Sequence, residues 1–298
     1  MRFFIQLMLI SLVMISSAGH AEMLNDDTSL KEGMRYFNGD GVDVDTFKAA
    51  KCFERSGNGI AYFMLSRMYS NDDEDIAKYV LPPNKALAET YMRKALSALQ
   101  TAAADSDPSA QTYLGNMFYY GIGVKEDKLK GLVLIRQAAD SGYSKAWRLL
   151  GNITIEDKLD EAYGYFEKAV SLGDRESEGG LVRINERKYI DTADPSYKET
   201  IKKMANEGSP FAMVSLAIDE KHLGKYTHAM SLFKKASQDD LGSTKAMAFS
   251  FIALMYHRGE GVEESRAMSL KYLNEACRHD VYECYNRDLY KDGKETWP

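Results

Sequence analysis

Side chains that commonly catalyse reactions or bind metals are few in this sequence, and their spacing matches no known reaction centre. The histidines are His20, His222, His228, His257 and His279. His222 and His228 lie on either side of a predicted turn at Gly224, which is not the spacing of a metal-binding pair. The sequence also has no Gly-x-Ser-x-Gly motif, no phosphate-binding glycine loop and no His-Glu-x-x-His motif. We therefore expect no catalytic residue, no cofactor and no metal site.

One catalytic motif matches formally, at Ser231 and Lys234. The Ser-x-x-Lys pattern is used by penicillin-recognising serine enzymes. Here the pattern lies inside a predicted helix, on which lysine is a common exposed residue, and the accompanying motifs of that enzyme class are absent. A hydrolase acting on cell-wall-related or β-lactam substrates stays an alternative, while the main expectation is a protein that is not an enzyme.

An acidic run lies in a charged segment over residues 70–84, which ends in Pro82-Pro83. The run consists of Asp72, Asp73, Glu74 and Asp75. Carboxylate oxygens suit calcium, but the run lacks the spaced oxygen ligands and the glycine of a calcium-binding loop. Two interpretations stay open, a solvated insertion and a protruding loop that contacts a partner.

The first residues follow the order of a secretory signal peptide. Arg2 supplies a positive charge, residues 3–15 are almost entirely apolar, and small residues follow up to Ala21. The apolar stretch is too short to span a bilayer comfortably, and no second candidate follows. We therefore predict that residues 1–21 are a cleaved signal peptide and that residues 22–298 are periplasmic or secreted, without membrane insertion.

Export changes the interpretation of the three cysteines. Cys277 and Cys284 lie close together near the end of the chain, and an oxidising compartment would let them form a disulfide. Two reduced, buried thiols are the alternative. Cys52 has no neighbouring cysteine and is predicted to be a small buried apolar residue.

Composition favours helices and excludes two classes of partner. Proline is scarce, with 6 in 298 residues, and hydrophobic residues make up 45% of the chain. The net charge is −6, and no basic run or stripe interrupts the sequence. Nucleic acids and anionic membrane surfaces are therefore poor candidate partners.

The elements that would position any site repeat along the chain. An aromatic residue is followed by a glycine three positions later and by Gly-Val five and six positions later. This spacing occurs over residues 36–42, 118–124 and 256–262. Glycine at such a loop permits positive φ where a helix ends. Small residues also recur seven positions apart, on one face of a helix, so that neighbouring helices can approach closely. These pairs are Ala49/Ser56, Ala88/Ala95, Gly131/Ala138, Ala162/Ala169, Ala229/Ala236 and Ser269/Ala276.

The copy from Ala110 to Gly142 resembles the Sel-1-like repeat, a relative of the tetratricopeptide repeat. It follows the order Ala-x-x-x-Leu-Gly, an aromatic residue, Gly-x-Gly-Val, Asp and Lys, with Gly131 in place of the usual alanine. The units over residues 146–176, 177–210 and 212–243 are degenerate copies. The resemblance implies an all-α fold, a right-handed α/α superhelical solenoid of about seven helix hairpins with a concave face.

Two departures from the period are expected to shape the solenoid. Residues 191–196, with Pro195, are predicted to widen the connection inside the fifth hairpin. Residues 281–292 are predicted to form a final helix that caps the open end. The resemblance also supports the Cys277–Cys284 disulfide, because cysteine-rich members of the group bridge their helices in a comparable way. Some of those relatives are penicillin-binding hydrolases, which keeps the hydrolase alternative open.

The resemblance implies a protein that binds another protein through its concave surface or its inserted loops. Tyr119, Tyr120 and Trp147 are candidate aromatic anchors, beside the acidic run described above. The partner would be a toxin, an envelope component or a host factor. One open role is an immunity protein that neutralises a toxin delivered into the periplasm, and another is an envelope or secreted adaptor. Specificity is expected where the period breaks, at residues 70–84 and 151–200.

Overall fold

The structure is a computed structural model that describes residues 27–70 and 80–294. These residues form fifteen helices and no β-strand, so the prediction of an all-α fold is confirmed. In chain order the helices are α1 (Asp27–Asn38), α2 (Thr46–Ser56), α3 (Gly59–Tyr69), α4 (Lys85–Ala104), α5 (Pro108–Tyr120), α6 (Lys128–Asp140), α7 (Ser144–Thr154), α8 (Leu159–Ser171), α9 (Ser177–Thr192), α10 (Ser196–Asn206), α11 (Pro210–His222), α12 (Tyr226–Ala236), α13 (Gly242–Arg258), α14 (Arg266–Cys277) and α15 (Val281–Lys291).

Consecutive helices pair into hairpins, from α1–α2 to α13–α14, and the hairpins stack into a helical solenoid. The described residues contain seven such pairs, and α15 packs against α14 at the end of the array. The first helices of successive hairpins also contact each other, as α5 does with α7 and α9 with α11. Elements on the inner side of a curved array come closest together, so the first helices line the inner face.

Glycines in the loops that follow some of the first helices end these helices and let the preceding hairpin pack closely against the loop. Gly121 takes φ +67° at the end of α5, and its N–H donates to the Met117 carbonyl. The second glycine of the same loop, Gly123, has φ +69°, and a Cβ there would lie 2.5 Å from Met92 on α4. Gly261 in the last hairpin repeats this relationship. The predicted glycine loops are therefore required both for backbone conformation and for close approach between hairpins.

Small residues seven positions apart let the two helices of a hairpin touch. Ala162 and Ala169 on α8 are fully buried, as are Ala229 and Ala236 on α12. On α6, Gly131 faces α5 so closely that an added Cβ would lie 2.7 Å from the Gly115 carbonyl oxygen. This packing confirms the role predicted for the small pairs.

The predicted widening at residues 191–196 was wrong. Helix α9 continues to Thr192 and α10 starts at Ser196, so the connection is short. Ala193 takes φ +56°, and its N–H donates to the Tyr189 carbonyl, which ends α9 as a glycine ends other helices. The additional residues lengthen the helix instead of the loop.

Several sequence predictions lie outside the described residues. The signal peptide over residues 1–21 does, and so does the acidic run Asp72, Asp73, Glu74 and Asp75. Among the helices of the described part of the chain, none is long and apolar enough to cross a membrane.

Candidate functional site

The two ends of the hairpin array meet. Residues 39–44, which form most of the connection between α1 and α2 and which we call the closing loop, contact the connections before α13 and after α14. Gly41 N–H donates to the Asp240 carbonyl over 3.0 Å, and Val44 N–H donates to the Arg278 carbonyl over 2.6 Å. The first hairpin therefore lies against the last one, and the solenoid closes into a ring.

A carboxylate of the closing loop caps a helix far away in the sequence. Asp40 Oδ1 accepts a hydrogen bond from Gly242 N at the start of α13, over 3.1 Å and across 202 positions. Asn38 Nδ2 donates to the other carboxylate oxygen of Asp40 over 3.1 Å. The N-cap residue of α13 is Leu241, whose side chain has no acceptor. Asp40 thus supplies the acceptor and the negative charge that a helix N-terminus favours.

Backbone meets backbone where the ring closes. A Cβ added to Gly242 would lie 2.1 Å from the Asn38 carbonyl oxygen. A Cβ added to Gly39 would lie 2.7 Å from the His279 carbonyl oxygen. No side chain fits at either position while the closing loop is seated.

Ion pairs accompany these backbone contacts. Arg278 Nε lies 3.0 Å from Asp43 Oδ2, and this partner raises the pKa of the Arg278 guanidinium. Arg175, between α8 and α9, pairs with Asp239 at 2.6 Å and with Asp240 at 2.8 Å. Its hydrogen bond to Asp240 lowers the pKa of that carboxyl. Three connections of the solenoid therefore converge where the closing loop docks.

A cavity of about 650 Å³ opens beside the closing loop. The ends of α1 and α3 form one wall, and the starts of α13 and α15 form the opposite wall. Its lining is mixed, with somewhat more polar and charged side chains than apolar ones. Its lining includes Phe37, Asp40, Met68, Leu241, His279, Asp280 and Tyr282.

Two titratable groups of the cavity are shifted by burial. Burial raises the pKa of the Asp280 carboxyl, although its hydrogen bond from Tyr282 N, 2.9 Å long, opposes the shift. Burial, followed by the charge of Lys245, lowers the pKa of His279. The His279 ring stacks on Phe249, and its Nδ1 is buried with no hydrogen-bond partner among the described residues. The cavity therefore offers a neutral imidazole and a poorly solvated carboxyl beside apolar surface.

The cysteine pair brackets part of this site. In the structure the Cys277 and Cys284 sulfur atoms lie 2.03 Å apart, at disulfide distance. The residues between them include Arg278 and the cavity-lining His279. Whether the bond forms in the protein stays a prediction. Cys52 is buried as predicted, with 6% of its surface exposed.

The predicted aromatic anchors lie elsewhere. Tyr119 and Tyr120 at the end of α5 form an edge-to-face pair with ring centroids 4.8 Å apart, and Tyr120 is half exposed. Trp147 on α7 packs against Tyr165. None of the three predicted anchors lines the cavity, so the structure does not bring them to the closing loop.

Sequence reasoning missed the closing loop, because its Gly-x-Gly-Val pattern matches an ordinary repeat loop. No single residue distinguishes it. Asp40 lies between its two glycines, but Glu260 holds the same place in the last glycine loop. Helices α7 and α9 also begin, like α13, without a capping side chain.

Comparison with known proteins identifies the repeat. The Sel1 repeat family model matches residues 33–59, 59–98, 108–143, 150–174 and 246–281, together more than half of the chain. The protein NMB1327 of Neisseria meningitidis serogroup B is 29% identical over 107 residues, which are 36% of this chain and 21% of that protein. This chain thus matches about a fifth of the length of that relative.

Solved structures of other proteins are similar to this chain at low sequence identity. Yeast Tom70 is similar with a TM-score of 0.55 and 14% identity, over 91% of this chain and 57% of that one. An immunity protein of Pseudomonas aeruginosa, Pa5087, is similar with a TM-score of 0.47 and 16% identity, over 77% and 83% of the two chains. At this identity the similarity to Tom70 concerns the fold alone, and the weaker similarity to Pa5087 carries no argument.

Proposed function

Because the chain belongs to the Sel1 repeat family, we propose that it is a non-enzymatic binding protein of the bacterial envelope, or a secreted one, which holds a segment of another protein in the cavity beside the closing loop. Members of repeat families of this kind present surface rather than reaction centres. The observation that carries the proposal is the cavity itself. Its volume of about 650 Å³ is typical of a binding site, and its lining combines apolar side chains with polar and charged ones that can orient a bound segment.

The position of the only formal catalytic motif supports binding over hydrolysis. Ser231 and Lys234 are exposed on α12, the second helix of its hairpin, and neither lines the cavity. A serine nucleophile needs a base in reach within a site that excludes water. The hydrolase alternative is tested by incubating the purified chain with a chromogenic β-lactam, where turnover that Ser231→Ala abolishes would establish it.

Export is part of the proposal. The order of charge, apolar residues and small residues up to Ala21 supports a signal peptide over residues 1–21. A disulfide between Cys277 and Cys284 would agree with an oxidising compartment. Secretion of a reporter fused after Ala21, and its retention when residues 3–15 are interrupted by charges, is the expected result.

Site-specific photo-crosslinking tests the binding site. Benzoylphenylalanine replaces Tyr282, which lines the cavity and is 58% exposed, in the chain without residues 1–21. The matched control replaces Leu129, which is 79% exposed on α6 and does not line the cavity. We expect a protein from envelope extract to crosslink at position 282 and not at position 129.

The crosslinked protein also separates the two possible roles. A toxin would indicate an immunity protein, and an envelope component would indicate an adaptor. Equal crosslinking from both positions, or none from position 282, would contradict binding at the cavity. Crosslinking from position 120 alone would instead place the binding surface at the Tyr119–Tyr120 pair.

A further inference from the structure

We propose that the closing loop is a latch, which holds the ring shut over the cavity and whose release admits a ligand. The latch is inferred from contacts between the first and last hairpins alone. Its consequence for a bound partner rests on the proposed function. Separate experiments therefore test the latch and its effect on binding.

The docking of the closing loop is specific. Three other first helices, and the terminal helix α15, begin with a capping side chain of their own. These residues are Asn58, Asp107, Ser209 and Asp280. Helix α13 begins with Leu241 and takes its acceptor from Asp40 of the closing loop. Because a hydrogen-bonding angle and a helix terminus must both be matched, the loop seats in one register.

Shape complementarity adds to that specificity. The backbone of the first hairpin lies against Gly242 with no room for a side chain, and the same holds at Gly39 against His279. Close approach of this kind requires a glycine on at least one side of each contact. The two surfaces therefore fit each other and are not merely neighbours in space.

The latch is also the weakest joint of the ring. Its ion pair joins Arg278 and Asp43, whose side chains are both more than half exposed, and solvated pairs of this type contribute little. The rest consists of a few hydrogen bonds. Successive hairpins, in contrast, bury continuous apolar cores, such as the cluster around Phe53 and Leu65. Strain on the ring would separate the closing loop before any pair of hairpins.

Opening would act directly on the cavity. Asp40 and Val44 of the closing loop form part of its lining, and so do Leu241 and His279 on the docking side. Both walls therefore move apart when the loop leaves. A ligand too large for the present opening would enter only from the open ring.

Amide hydrogen exchange on the full mature chain tests the latch without any ligand. The N–H groups of Gly41 and Val44 are bonded only across the ring. In Gly242→Val we expect their exchange to accelerate about tenfold or more, with a larger radius of gyration by small-angle X-ray scattering. Gly164→Val is the matched control, because a Cβ at that helical glycine meets nothing within 4 Å.

A second variant guards against simple misfolding of the first. Asp40→Ala removes the cap across the ring, and Asp127→Ala removes an ordinary local cap, that of α6. Only Asp40→Ala should accelerate exchange at Gly41 and Val44. Unchanged exchange and radius in both Gly242→Val and Asp40→Ala would overturn the latch and leave the proposed function untouched.

Thiol labelling measures access to the cavity. Met68→Cys places a thiol on the cavity wall, where the native side chain is 6% exposed, in a background carrying Cys52→Ala. We expect a bulky maleimide to react several-fold faster when Gly242→Val is added, and more slowly when a crosslink between cysteines at positions 43 and 278 locks the ring. Equal labelling rates in the open and locked forms would refute control of access. If only the locked form loses crosslinking to the partner, the latch also controls binding of that partner.

Discussion

A buried ion pair joins the sixth hairpin to the seventh. Lys221 at the end of α11 is 7% exposed, and its Nζ lies 3.3 Å from Glu260 Oε2 in the loop between α13 and α14. At this distance the attraction is about 5 kcal/mol for an effective dielectric constant of about 20, before the cost of desolvating both charges. Because that cost is of similar size, the net contribution of the pair is small, whereas the loss of one partner is expensive.

We expect Glu260→Gln to lower the free energy of unfolding by about 3–5 kcal/mol, because it leaves the Lys221 ammonium buried without a counter-charge. Lys221→Met should cost less, about 1–3 kcal/mol, because Glu260 retains Arg258 at 3.9 Å and more contact with water. The double variant should return to within about 1 kcal/mol of the native protein, since methionine fills the same space and no charge stays uncompensated. The resulting coupling energy is about 3 kcal/mol or more.

Urea unfolding followed by far-ultraviolet circular dichroism measures all four corners of this cycle. The exposed pair Lys203–Glu207, with side chains 74% and 63% exposed, is the control and should couple by less than about 1 kcal/mol. A coupling at Lys221–Glu260 no larger than that of the control would refute the reasoning. It would mean that water reaches the pair despite its burial.

Three further predictions concern other parts of the ring. Gly164→Ala should stabilise the protein by about 0.5–1 kcal/mol, because nothing lies close to this helical position. Gly180→Ala should destabilise it by about 1–3 kcal/mol, because the new Cβ would lie 2.6 Å from a buried phenylalanine ring. Equal urea midpoints for the two variants would contradict both expectations. Thiol titration of the unfolded, unreduced protein should find one reactive thiol, and removing Cys277 and Cys284 together should cost about 2–3 kcal/mol, while three thiols would exclude the disulfide. Burial raises the pKa of the Asp280 carboxyl above 3.8, so the ionised carboxylate destabilises the fold at neutral pH and this effect disappears as the pH falls. Asp280→Asn should therefore raise the melting temperature at pH 7 and leave it unchanged near pH 3. A gain in melting temperature that persists in acid would contradict this explanation.

The hairpins could be predicted from sequence because their determinants are local. Gly121 provides the positive φ that ends α5, and Gly123 allows the close approach to Met92. Both requirements appear in the sequence as glycines at a fixed spacing. Small pairs such as Ala229/Ala236 are equally legible, because a helix repeats its faces every seven residues. The prediction for the connection around residue 193 was wrong because an alanine there takes the left-handed conformation that glycine usually adopts.

Closure of the ring could not be predicted in the same way. The curvature of a solenoid accumulates from a small rotation between each hairpin and the next, and no single repeat encodes the sum. Asp40 and Gly242 gain their relationship only after that sum brings them together across 202 positions. The candidate anchors Tyr119 and Tyr120 were chosen by residue type, which says nothing of the face of the ring on which they lie.

Ring closure also bears on how the protein loses its structure. In a linear array of repeats each unit is stabilised only by its neighbours, so unravelling begins at the two termini and proceeds unit by unit. Here the first hairpin is held by α13 and by the Arg278 carbonyl as well as by the second hairpin, so the array has no free terminus of that kind. Loss of the first unit then weakens the last one directly. While the closing loop stays docked, the first and last hairpins therefore stabilise each other, and we expect the closed array to unfold more cooperatively than a linear one.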